Sequence, residues 1–109
     1  MQVQINTDHN IQHDEALEAW IIGVIESALA HSSDHITRVE VHLSDENGGK
    51  SGQHDKRCMI EARLEGRSPI AVTDHAATLD KAVNGAAGKL GRMIKSAVGR
   101  AAKFKAPTD

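Results

Sequence analysis

The chain has 109 residues with 13 Lys/Arg against 15 Asp/Glu, a formal net charge of −2; this length suits one domain with a single core. Cys58 is the one cysteine, which excludes an intrachain disulfide and a cysteine-rich zinc site. No basic segment followed by an apolar run opens the chain, and the longest apolar stretch, residues 19–25, is too short to cross a bilayer, so a soluble, cytoplasmic protein is expected.

Residues 2–6 alternate polar and apolar, with Val3 and Ile5 on one side, and predict a short strand. Asp14 opens a helix expected to run to about Ala30. Its first turn is acidic, as the helix dipole favours, and Leu17, Trp20, Ile21, Val24, Ile25 and Ala28 form its apolar stripe. Alternation returns at Thr37–Ser44, where Val39, Val41 and Leu43 point one way and Arg38, Glu40 and His42 the other. The polar, glycine-rich DENGGKSGQHDK that follows reads as a hairpin loop able to order on RNA through Lys50, Lys56 and Arg57. A third strand, Arg57–Leu64, has Cys58, Ile60, Ala62 and Leu64 on its inner face, and EGRS turns it into a fourth at Pro69–Thr73. Asp74 is then placed to cap a helix over residues 75–105, with His75 in its first turn.

That last helix separates charge on its surface. At about 100° per residue, Lys81, Lys89, Arg92, Lys95, Arg100 and Lys103 fall within an arc of roughly 140°. Leu79, Val83, Ala86, Leu90, Ile94, Ala97, Ala101 and Phe104 fill the opposite side. Charge is segregated along the chain as well: residues 75–105 hold seven Lys/Arg and one acid, Asp80, whereas residues 1–74 hold six Lys/Arg and thirteen acids. Clustering of this kind steers a molecule toward a polyanion whatever its net charge. Gly85, Gly88, Gly91 and Gly99 fall within the same helix. Two readings are open: a continuous helix whose glycines let a phosphate backbone come close, or a break at Asn84-Gly85.

Each strand has one apolar face, so both helices are expected on the same side of one sheet. The order β-α-β-β-β-α then makes a two-layer α+β sandwich with a four-stranded sheet, its last three strands antiparallel. A single domain over residues 1–105 and a short tail at 106–109 follow.

Backbone and shape contacts to RNA fit the residues better than base stacking, because Trp20 and Phe104 are the only aromatics and both fall on expected core stripes. His9/His13 and His31/His35 have the four-residue spacing of helical metal ligands but no clear third ligand, so no metal or other cofactor is expected. No nucleophile–base pattern is present and GGKSG lacks the full P-loop spacing, so neither an enzyme nor a small-molecule substrate is expected.

The opening MQVQIN, the strand pair RVEVHL and RCMIEARLEG, and the run VTDHAATLDKAVNGAAGKLGRMIK resemble the ribosome hibernation-promoting and ribosome-associated inhibitor family, also called sigma-factor modulators. The resemblance covers nearly the whole chain and rests on element order and a diffuse pattern. It implies a domain shaped like double-stranded-RNA-binding modules that docks on the small ribosomal subunit. Such a domain occupies the channel of messenger and transfer RNA and blocks translation in resting or stressed cells. The RNA-contacting positions it implies are Lys81, Lys89, Arg92, Lys95, Arg100 and Lys103, on the second helix. The chain departs from the family in its helix glycines, in His75 and Ala76 where an aromatic often stands, and in its strongly acidic first helix. With no second domain after Phe104, a monomer that does not pair ribosomes is expected.

The combined expectation is a non-enzymatic translation inhibitor bound to small-subunit RNA through its last helix. The alternative is a protein-interaction module that binds a basic partner through its acidic first helix or a sheet edge.

Overall fold

Four strands form where apolar and polar residues alternate: β1 (Gln2–Thr7), β2 (Ile36–Asp45), β3 (Lys56–Leu64) and β4 (Ile70–Ala76). Helix α1 (Glu15–Ala28) and a 3-10 turn at Ala30–His35 join β1 to β2, and helix α2 (Leu79–Lys105) follows β4. The computed structural model describes residues 1–46 and 55–105, with side chains as far as residue 99. Lys50, the side chains of Arg100, Ala101, Lys103 and Phe104, and the tail at 106–109 therefore lie outside the described residues.

The sheet order is β1-β2-β3-β4. β1 runs parallel to β2 while β2, β3 and β4 are antiparallel neighbours, so the sheet is mixed. Its inner face is built from facing apolar pairs, Val39 with Ala62, Val41 with Ile60 and Leu43 with Cys58, all buried. Helix α1 lays Ile21 and Ile25 on this layer and α2 adds Val83, Ala86, Leu90 and Ile94, closing one core. On the outer face like charges stand opposite each other, Arg38 against Arg63 and Glu40 against Glu61. Ion pairs within each strand offset that repulsion, Arg38 to Glu40 at 3.4 Å and Arg63 to Glu61 at 3.8 Å.

The two-layer α+β fold agrees with the sequence reading; several boundaries and side-chain placements differ. Asp14 caps α1 as expected, its Oδ1 accepting the Leu17 N–H at 2.9 Å, but the helix ends at Ala28 and the chain tightens into the 3-10 turn. Asp74 does not cap α2, and His75 is not helical. Pairing of Cys58 with Asp74, Arg57 with His75 and Lys56 with Ala76 holds those residues in β4. Thr78 caps α2 instead, its hydroxyl accepting the Lys81 N–H at 3.2 Å. Trp20 is not a core residue: it is 36% exposed on the flank of α1, because Ile21 and Ile25 occupy the line that meets the sheet.

Helix α2 runs unbroken through Asn84-Gly85. The Asn84 amide donates to the Asp80 backbone oxygen at 2.9 Å and to its carboxylate at 2.8 Å, so it braces the helix instead of opening a turn. Two glycines serve packing rather than an approaching phosphate. A Cβ at Gly85 would lie 1.8 Å from Asp74 Oδ2, and one at Gly91 would lie 2.9 Å from the backbone oxygen of Ala28. The strand carboxylate therefore occupies the space over Gly85, and the end of α1 that over Gly91.

Candidate nucleic-acid interface

Lys81, Arg92 and Lys95 are exposed along α2. They stand in one row with Asn84 and Gly88, since steps of three and four residues return to the same side of a helix. Burial of Val83, Leu90 and Ile94 sets this orientation and turns the cations outward. Lys89 stands in the next row and leans toward β4. Its Nζ donates to the Thr73 backbone oxygen at 3.2 Å and lies 3.7 Å from Asp74 Oδ1. Its charge is thus partly met within the protein, whereas no ion pair is found for Lys81, Arg92 or Lys95 among the described residues. Arg100 and Lys103 continue α2 in sequence.

Lys56 and Arg57 are not drawn into this row. Alternation along β3 sends Lys56 toward the inner layer and Arg57 toward the outer face of the sheet. Lys56 Nζ lies 3.3 Å from both Asp45 and Asp55, two buried carboxylates. Burial opposes the lysine charge, but the hydrogen bonds and charges of Asp55 and Asp45 outweigh it and raise the Lys56 pKa above its ordinary value. Lys56 therefore serves the hairpin base.

Arg67 is a cation that sequence reasoning missed. From the β3–β4 turn its Nη1 donates to the Ala97 backbone oxygen at 2.8 Å, which brings a further positive charge against α2. Nothing local in EGRS signals this, because turn and helix meet only in the folded chain. Met93, 45% exposed, is an apolar residue on the outer side of the helix.

The histidines are spread over separate contacts. His13 lies between Thr7 at 3.3 Å and Glu18 at 3.2 Å, and His75 meets Glu46 at 3.1 Å. No group of three His, Cys, Asp or Glu side chains suited to a metal occurs among the described residues. Cys58 is fully buried; burial first, and then the charge of Asp74, push its thiol up to about 12.

A row of cations on a rigid helix suits phosphates, which bind such groups without revealing base sequence. The family model described as Sigma 54 modulation protein / S30EA ribosomal protein matches residues 3–101. Among solved structures, the N-terminal domain of Protein Y from Thermus thermophilus is similar at a TM-score of 0.70 with 20% identity, covering 88% of this chain and 98% of that one. A ribosomal subunit interface protein from Coxiella burnetii is similar at a TM-score of 0.70 with 17% identity, covering 91% of this chain and 99% of that one. No curated protein matches by sequence.

Proposed function

This chain belongs to the family of sigma 54 modulation proteins and S30EA ribosomal proteins, and from that ribosome-associated, modulating role we propose a specific mode of action: α2 lies against RNA of the small ribosomal subunit and the body of the domain blocks the positions of messenger and transfer RNA. The observation that carries this reading is the exposed row Lys81, Arg92 and Lys95 on a helix whose single acid is Asp80. Cations held on one rigid face meet several phosphates at once, and each contact releases counterions, so affinity comes from position and charge. Arg100 and Lys103 extend the row in sequence, and Lys89 flanks it on the β4 side. Lys56 and Arg57 fit an auxiliary role at most, since the first is held by two carboxylates and the second faces the other side of the sheet. The likeness to the Coxiella burnetii protein, a ribosomal subunit interface protein, supports a site between ribosomal subunits.

On this reading the protein acts by occlusion, with no catalytic step, among the ribosomes of the cytoplasm. Cell-free translation tests it. Added protein is expected to suppress peptide synthesis and to compete with initiator tRNA for small subunits, while Arg92→Glu/Lys95→Glu does neither. Equal inhibition by the variant would remove α2 from the mechanism.

A further inference from the structure

We propose that the groove between α1 and α2 receives an unstacked base of single-stranded RNA, with Trp20 as its stacking surface and Arg92 and Lys95 holding an adjoining phosphate. The proposal rests on the RNA-binding reading of α2 and adds a second kind of contact to it. The groove has a volume of about 530 Å³ and is lined by Trp20, Gly23 and Ser27 of α1 and by Asn84, Ala87 and Gly88 of α2. Beyond Ala28 and Gly88 it adjoins a hollow of about 190 Å³ lined by Gly91, Arg92 and Lys95.

Three features select a nucleotide as the occupant. First, the chain's single tryptophan is 36% exposed here, although burial would remove more of its large apolar ring from water. A flat ring beside glycine and alanine leaves a slot for a flat, apolar-faced guest. Second, the chemistry is complementary to an anion: no carboxylate lines either hollow, and two cations line the second. The acids of α1, Glu15, Glu18 and Glu26, are absent from both linings. Third, the rim offers selective polar groups. The Asn84 amide nitrogen is held by Asp80 at 2.8 Å, which leaves its oxygen as an acceptor beside the Ser27 hydroxyl. Base–aromatic stacking with a nearby cation is a recurrent mode of single-strand recognition.

Trp20 is also the reporter, because no other tryptophan contributes to emission. The protein is titrated with a short oligoadenylate and, separately, with duplex RNA, and its sedimentation with small ribosomal subunits is measured alongside. The oligoadenylate is expected to quench Trp20 saturably and the duplex to leave it unchanged. Trp20→Ala should weaken oligoadenylate binding about tenfold, and Trp20→Phe by less. Gly88→Leu puts a side chain into the groove from a position where an added Cβ meets only Arg92 Nη1 at 3.5 Å; it should lose the quenching, and a native circular dichroism spectrum checks that the variant folds. If subunits bind in an Arg92- and Lys95-dependent manner while Trp20 emission and Trp20→Ala affinity stay unchanged, the groove proposal is overturned and the reading of α2 stands. If neither oligoadenylate nor subunits bind, both fall. Quenching by duplex equal to that by single strand also overturns the proposal.

Discussion

Asp74 meets two residues of α2, Gly85 and Lys89, that lie well apart from it in the sequence. It points from β4 toward α2, its Oδ2 fills the space over Gly85, and its Oδ1 accepts the His75 N–H at 3.1 Å and lies 3.7 Å from Lys89 Nζ. A methyl group at Gly85 gains up to about 1 kcal/mol in helix propensity but drives the carboxylate from those partners. Gly85→Ala is therefore expected to be neutral or mildly destabilising alone, and stabilising by up to about 1 kcal/mol in an Asp74→Ala background. Urea denaturation of the four proteins in the cycle measures this; identical effects in both backgrounds would separate the two residues. Cys58 gives a pH-dependent expectation. Its thiol is raised from 9.0 to about 12, so folding favours the protonated form. That contribution is fully present below the unfolded pKa and is lost as pH climbs through 9 toward about 12. At neutral pH a thiol reagent should label Cys58 only as fast as the protein unfolds, and rapid labelling of the native protein would contradict its burial.

At the scale of elements, the strands with strict alternation were legible in advance. Val39, Val41 and Leu43 in β2, and Cys58, Ile60 and Ala62 in β3, are buried on one face, with Glu40, His42, Met59 and Glu61 between them on the other. The junction of β4 with α2 was not legible. Asp74 has the chemistry of a helix cap, and only the cross-strand partners Cys58, Arg57 and Lys56 keep residues 74–76 extended. Trp20 misled for a related reason: its spacing fits the apolar stripe of α1, yet the angle at which α1 meets the sheet gives the buried line to Ile21 and Ile25. Periodicity identifies an apolar arc; packing selects the part of it that is covered. The helix glycines likewise divide by surroundings. Gly99→Ala meets nothing within 4 Å and should stabilise the protein by up to about 1 kcal/mol. Gly91→Ala forces the backbone at Ala28 away and should destabilise it by about 1 kcal/mol once the overpacking cost exceeds the propensity gain. Thermal unfolding of the two variants, shifted in opposite directions, is the expected result.

Across the whole molecule, the fold turns a segregated sequence into a surface with two characters. Helix α1 exposes Glu15, Glu18 and Glu26, while α2 exposes Lys81, Lys89, Arg92 and Lys95. The basic row itself was legible, because helical spacing alone collects its residues and the buried Val83, Leu90 and Ile94 fix its direction. The turn of Lys56 toward Asp45 and Asp55 and the contact of Arg67 with α2 were not, since both depend on segments that meet only in the fold. Charge separated in this way orients a molecule in the field of a polyanion, with the basic face toward it and the acidic face away.

Co-sedimentation with small ribosomal subunits across a salt series decides whether α2 is an RNA interface. The wild-type protein should bind saturably, with affinity falling linearly in the logarithm of salt concentration, and Arg92→Glu/Lys95→Glu should bind weakly with a slope shallower by roughly 1 to 2. Binding that ignores salt, or a variant that sediments as the wild type does, would contradict an RNA interface on α2.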